Sequence, residues 1–223
     1  MFVIAGYEFI SFFKRFKPIF LIVLFFLLIV AMNKVNILIL GLYKNESNYA
    51  APITALSYFS TIFVFSLSLG TICKEVESGT MRLIVSRTSR TKIIIGKYIG
   101  IAFHWFICIT IGFGVTSFLA NRLVIYNYIP ILFFILFNIA LCVFLSVIIS
   151  DVSHLAFISI VIGIGLPLLG MLSVISTDSP MSYIKYLLPQ YYLLNNQSLM
   201  FIPLLGAIAL ILISVKIFSR RDL

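Results

Sequence analysis

Six apolar stretches, each about as long as a bilayer is thick when wound into a helix, leave this sequence few ways to fold. They run over Phe16–Met32, Ile53–Ile72, Tyr98–Leu119, Ile129–Ile149, Leu155–Ile175 and Leu199–Ile217. A crossing needs roughly 20 predominantly apolar residues. In hydrocarbon no water satisfies backbone N–H and C=O groups, so such a stretch must close its own hydrogen bonds as a helix. The expected fold class is therefore an all-α membrane protein: six transmembrane helices in one domain over residues 1–223. The composition agrees, with 62% hydrophobic and 10% charged residues against about 45–50% and about 25% in an ordinary soluble domain. A soluble enzyme, a disordered tail and a secreted disulfide scaffold are excluded on that ground. Lys34 and Asn36 interrupt the apolar run after the first stretch, and Lys34 can snorkel to the interface along its aliphatic stem. No cleavage site follows that stretch, which reads as a retained span.

The formal charge of +9 would suggest nucleic acid in a soluble protein. Here the distribution of the charge gives a topological explanation instead. Lys14, Arg15, Lys17, Lys74, Arg82, Arg87, Arg90, Lys92, Lys97, Lys216, Arg220 and Arg221 fall on one side of the six expected crossings. Only Lys34, Lys44, Arg122 and Lys185 fall on the other. Basic residues collect in cytoplasmic loops. The pattern therefore predicts a multi-pass protein of the cell membrane with both termini and the loop after span two in the cytoplasm, and no nucleic-acid partner.

Three segments are not simple spans. Residues 1–17 are apolar with a sparse polar face on which Glu8, Ser11 and Arg15 cluster at helical spacing. They form an interfacial helix ahead of the turn at Pro18 or extend the first span. Residues 74–97 form a basic loop in which Val76, Thr80, Leu83 and Ile84 recur at helical spacing, predicting a short amphipathic helix over Glu75–Val85. Arg87–Ser89 ends it, and Ser89 is placed to cap the helix that becomes span three. This loop either meets a partner or is only a positive-inside loop. Residues 176–198, on the outer side, are too long and too apolar for a plain connection. They read as two short re-entrant helices broken at Pro189, or as an aromatic anchor rich in tyrosine. Within span five, Gly163 and Gly165 ahead of Pro167 predict a hinge.

Reactive constellations are sparse. No GxxxxGK[ST] phosphate loop, HExxH zinc pair or GxSxG nucleophile turn occurs. His104 and His154 lie far apart in sequence, and Cys73, Cys108 and Cys142 form no CxxC pair and read as small core residues. No catalytic, cofactor-binding or metal-ligating set is expected. All seven acids, Glu8, Glu46, Glu75, Glu77, Asp151, Asp178 and Asp222, lie outside the six stretches. Ion-coupled carriers place carboxylates within their spans, so this arrangement argues against one.

At the loop after span two the residues take a familiar order. Glu75-Val-Glu77-Ser-Gly79-Thr80, then Ser89-Arg90, then Gly96-Lys97 resembles the pattern of ABC-2-type transporter permeases, in which an acidic pair precedes Gly-Thr and a Ser-Arg turn leads to Gly-Lys at the next span. Many members place a proline before that turn, where this chain has Arg87-Thr88. The expected N-terminal interface helix, six spans and long outer segment resemble the family across the whole chain.

The resemblance implies a division of labour. The loop after span two would be a coupling helix seated on a separate cytoplasmic ATPase subunit, with Glu75, Glu77, Gly79, Thr80, Arg82, Arg87, Ser89 and Arg90 at the contact. ATP and Mg would be held by that partner, present in two copies, and this chain would carry no cofactor and no enzymatic activity of its own. A second permease half, identical or paralogous, would complete the pathway. The small size resembles permeases that export, or protect against, amphipathic antimicrobial peptides. The alternative is an ion-coupled carrier or a substrate-binding membrane subunit that works without a dedicated ATPase.

Overall fold

The computed structural model describes residues 2–14, 50–68, 70–120, 128–175, 188–195 and 201–220, together with isolated positions at 20–31, 186 and 199. Every regular element among the described residues is a helix. In chain order they are α1 (Phe2–Lys14), α2 (Ala50–Ser68), α3 (Cys73–Glu77), α4 (Thr80–Arg87), α5 (Arg90–Ala120), α6 (Tyr128–Ile148), α7 (Val152–Ile175), α8 (Pro189–Asn195) and α9 (Phe201–Arg220). Five stretches among the described residues are long and apolar enough to cross a membrane: Phe59–Glu77, Arg90–Val115, Tyr128–Ile148, Val152–Gly170 and Phe201–Arg220. The described residues are thus all-helical in their regular structure, and five apolar helices long enough to span a bilayer mark a membrane protein. The first expected span, Phe16–Met32, falls largely outside the described residues, as does most of 176–198.

Helix α6 is the axis of the bundle. Ile131, Phe134, Ile135, Ile139, Val143 and Val147 recur at intervals of three and four and are buried, so one continuous stripe meets the neighbours. Helices α9, α2, α5 and α8 all pack against it. Outward faces are apolar as well: Phe157, Ile160, Val161, Leu168 and Leu172 on α7 and Leu205 and Leu212 on α9 are exposed. In water such faces would aggregate. Against acyl chains they cost nothing, so they suit a bilayer surrounding.

Two expected boundaries differ. The helix of span three begins at Arg90, not Tyr98, so Lys97 lies inside it and not in a loop. The single amphipathic helix expected over Glu75–Val85 is two helices, α3 and α4. Gly79 breaks it by taking φ +71°, a left-handed conformation that glycine adopts without a Cβ clash. The Thr80 hydroxyl donates to the Glu75 carbonyl across the break at 3.3 Å. The Arg87–Ser89 break is where the sequence places it, with Thr88 extended. Pro189 occupies the first position of α8, where its missing N–H removes no intrahelical bond. Tyr192 anchors that helix by donating its hydroxyl to the Tyr186 carbonyl at 2.6 Å.

Candidate functional site

The most unusual feature of the bundle is a buried lysine. Lys97, on α5, is 1% exposed. An ammonium has three N–H donors and no acceptor, and each has a partner here. One is Glu8 Oε1 on α1. The second is Glu75 Oε1 on α3 at 2.6 Å, and the third is the Thr71 carbonyl at 2.9 Å. Burying a charge is unfavourable by several kcal/mol unless it is paired and hydrogen-bonded. Full satisfaction of Lys97 therefore fixes three elements at one nitrogen: the N-terminal helix, the turn after α2 and the start of α3. Two carboxylates share this one cation, and Glu75 Oε2 is buried without a hydrogen-bond partner.

Two further contacts complete the junction. Gly100, one turn beyond Lys97, lets the α1 backbone approach: an added Cβ would lie 2.7 Å from the Ala5 carbonyl oxygen. Small residues are how helices come close in a membrane, where apolar burial itself drives little association. On the opposite side, the Ser146 hydroxyl of α6 accepts the Ile72 N–H at 3.2 Å and the Cys73 N–H at 3.1 Å. The first N–H groups of a helix ordinarily lack intrahelical partners. The short helix is capped by a neighbouring helix and so is bound to the core.

The residues singled out in the loop separate into two groups. Glu75 faces inward to Lys97, and Arg90 donates to the carbonyls of Phe218 at 3.2 Å and Ser219 at 2.8 Å. Arg90 thereby satisfies the end of α9, where a cation is also favoured by the helix dipole. Glu77, Gly79, Thr80, Arg82, Arg87 and Ser89 are exposed. Leu83, between the two arginines, is 71% exposed, while Met81 on the other side of α4 is fully buried. The loop thus has an inner face that holds it to the bundle and an outer face that is basic with one apolar side chain. Glu8, placed by its spacing on the polar face of α1, is turned into the protein, while Val3, Tyr7 and Ile10 are among the exposed residues of that helix. Arg15 lies outside the described residues. Gly163 packs beside Phe65 and Ile62, Gly165 has open space around it, and the helix continues through a buried Pro167.

Gly100 and Ser146 carry no expectation from the sequence, and Lys97 enters there only as the end of the Gly96-Lys97 motif and as loop charge. Gly96 and Gly100 do stand four apart, the small-xxx-small spacing of a close helix contact. That signal was available. A lone serine at the end of span four carries none. Among the described residues no cluster of His, Cys, Asp or Glu is arranged to hold a metal. Compared with protein-family models and with curated proteins, the chain matches none.

Proposed function

We propose that this chain is the permease subunit of an ATP-driven exporter of the ABC-2 type. In this reading six spans cross the cell membrane with both termini in the cytoplasm, and α3–α4 is the coupling element on which a separate ATPase subunit sits. Two ATPase copies, holding ATP and Mg, serve a pair of permease halves. The cargo is hydrophobic or amphipathic, with antimicrobial peptides as the leading class. One observation supports the reading above the others. The exposed face of Arg82, Leu83 and Arg87 belongs to a short element whose inner side is fastened through Lys97 to α1 and α5. A push on that face would reach the transmembrane helices and would not be absorbed by a loose loop. Because Glu75 and Arg90 are engaged within the chain, contact with the ATPase falls to Glu77, Thr80, Arg82, Leu83 and Arg87.

The test is co-purification with a P-loop ATPase encoded beside this chain. L83D combined with R82A and R87A should abolish co-purification and ATPase stimulation while thermal unfolding of the permease stays unchanged, since all three side chains are exposed. Transport that persists after ATP depletion would refute the reading. One observation favours a second one: the carboxylates of buried Glu8 and half-buried Glu75 around Lys97 resemble the charge clusters through which carriers couple ions. Collapse of transport by a protonophore, with ATP still present, would select it.

A further inference from the structure

A cleft of about 350 Å³ lies between α2 and α7, beside the start of α3. Its size is within the ~300–1,000 Å³ typical of small-ligand pockets. Phe65 of α2 and Ile160 and Ile164 of α7 make its walls apolar. Ile160 and Ile164 are 60% and 47% exposed, so the cleft is continuous with the outer, lipid-facing side of α7.

Three polar side chains line it, Lys74, Ser66 and Ser159, of which the first and last bear on what it could hold. Lys74 lines one end. Its stem lies across Gly70, where an added Cβ would come within 3.1 Å of Lys74 Cε and 3.2 Å of Cγ. Gly70 also has φ +72°, so backbone and side-chain space both reserve the position for glycine. The other is Ser159, a residue of the cleft wall that is 1% exposed and whose Oγ has no hydrogen-bond partner. Hydroxyls elsewhere in this bundle bond back to the preceding turn: Thr110 donates to the Phe106 carbonyl and Ser214 to the Leu210 carbonyl, both at 2.7 Å. Ser159 Oγ does not, nor do Ser68 Oγ and Thr71 Oγ1, but of these three residues only Ser159 lines the cleft, and a buried hydroxyl without a partner is unfavourable. A ligand acceptor in the cleft would complete it.

An ammonium at one end, a donor hydroxyl in the wall and an apolar surface leading outward match one chemistry. We propose that the cleft holds a single anionic phospholipid from the leaflet that meets α3. Its phosphate sits on Lys74, an ester carbonyl accepts from Ser159, and an acyl chain lies along Ile160 and Ile164. Basic pockets between transmembrane helices bind anionic headgroups in this way.

The full chain, purified and exchanged into nanodiscs of phosphatidylcholine with a minor fraction of phosphatidylglycerol, tests the assignment by native mass spectrometry. One phosphatidylglycerol should remain per chain after phosphatidylcholine is stripped. K74Q and S159L should each lower that retention at least about fivefold, and K92Q, which removes an exposed charge on α5, should not. Retention by K74Q equal to that of the unmodified chain overturns the proposal, and this exposed substitution decides the matter even where S159L does not fold. Equal loss in K92Q overturns it too, since the attraction would then be to net charge alone. So would efficient disulfide cross-linking of I160C between two copies, which would mean that protein and not lipid covers the cleft.

Discussion

Ala5 and Gly100 meet backbone to backbone: a Cβ on Gly100 would stand 2.7 Å from the Ala5 carbonyl oxygen and 2.9 Å from Glu8 Cβ. Neither neighbour is the free end of a flexible side chain, so G100A must push α1 off α5 and draw Glu8 from Lys97. Overpacking of this kind destabilises by about 1–3 kcal/mol. Gly6, on the same helix, has nothing within 4 Å of its would-be Cβ. G6A should therefore raise stability by about 0.5–1 kcal/mol through helix propensity alone. Thermal unfolding in detergent separates the two, and equal melting of G100A and the unmodified chain would remove the close contact.

Lys97 carries the larger effect. K97M leaves Glu8 and Glu75 facing each other without their cation, and removing one partner of a buried ion pair is destabilising by about 3–5 kcal/mol. Neutralising all three positions, as E8Q/K97M/E75Q, removes the stranded charges along with the pair and should recover most of that loss. E8Q alone should be worse than E75Q, because the Glu8 side chain is 10% exposed and that of Glu75 24%. Denaturation of the four variants decides it. A triple variant no more stable than K97M would show that the cluster acts through shape and not charge.

The apolar runs made the helices legible, because hydrocarbon leaves a chain no other way to satisfy its backbone. The break at Arg87–Ser89 was legible for an equally local reason, and Pro189, read as a break between two short helices, is the first residue of α8. The inward turn of Glu8 was not. Spacing places Glu8, Ser11 and Arg15 on one side of α1 but cannot say whether that side meets water or another charge. The answer lay in Lys97, a residue that positive-inside counting treats as loop charge. The split into α3 and α4 was hidden for a related reason: the apolar periodicity of Val76, Thr80, Leu83 and Ile84 runs across Gly79, and only the backbone shows the left-handed turn. Ser146 was invisible because it acts on N–H groups distant in sequence.

Ser146 gives the third prediction. Its hydroxyl accepts two buried N–H groups, from Ile72 and Cys73, and S146A removes that acceptor from both. A buried donor without a partner is unfavourable by about 1–3 kcal/mol. S146T keeps the oxygen and should retain most of the stability. The sharper measurement is hydrogen exchange at the amides of Ile72 and Cys73, which should accelerate in S146A and not in S146T. Unchanged protection in S146A would mean that another acceptor holds the start of α3.

Acid should loosen the start of α7. The Asp151 carboxylate accepts the Ser153 N–H at 2.7 Å and the His154 N–H at 3.4 Å, and lies 2.9 Å from His154 Nδ1. The Ser153 bond first, then those from His154, hold its carboxyl below the ordinary 3.8. A carboxylate with a lowered folded value binds protons less readily in the folded state than in the unfolded one. Its stabilisation is complete above the ordinary carboxylate range and is lost as the pH falls through the folded value. Protection of the amides in the first turn of α7, corrected for intrinsic exchange, should therefore be constant from neutral pH down to about 4 and decline below it. D151N, still a good N-cap, should keep the turn protected without the acid transition. D151A should lose protection at every pH, and an unmodified chain equally protected at pH 3 and pH 7 would rule out this capping role.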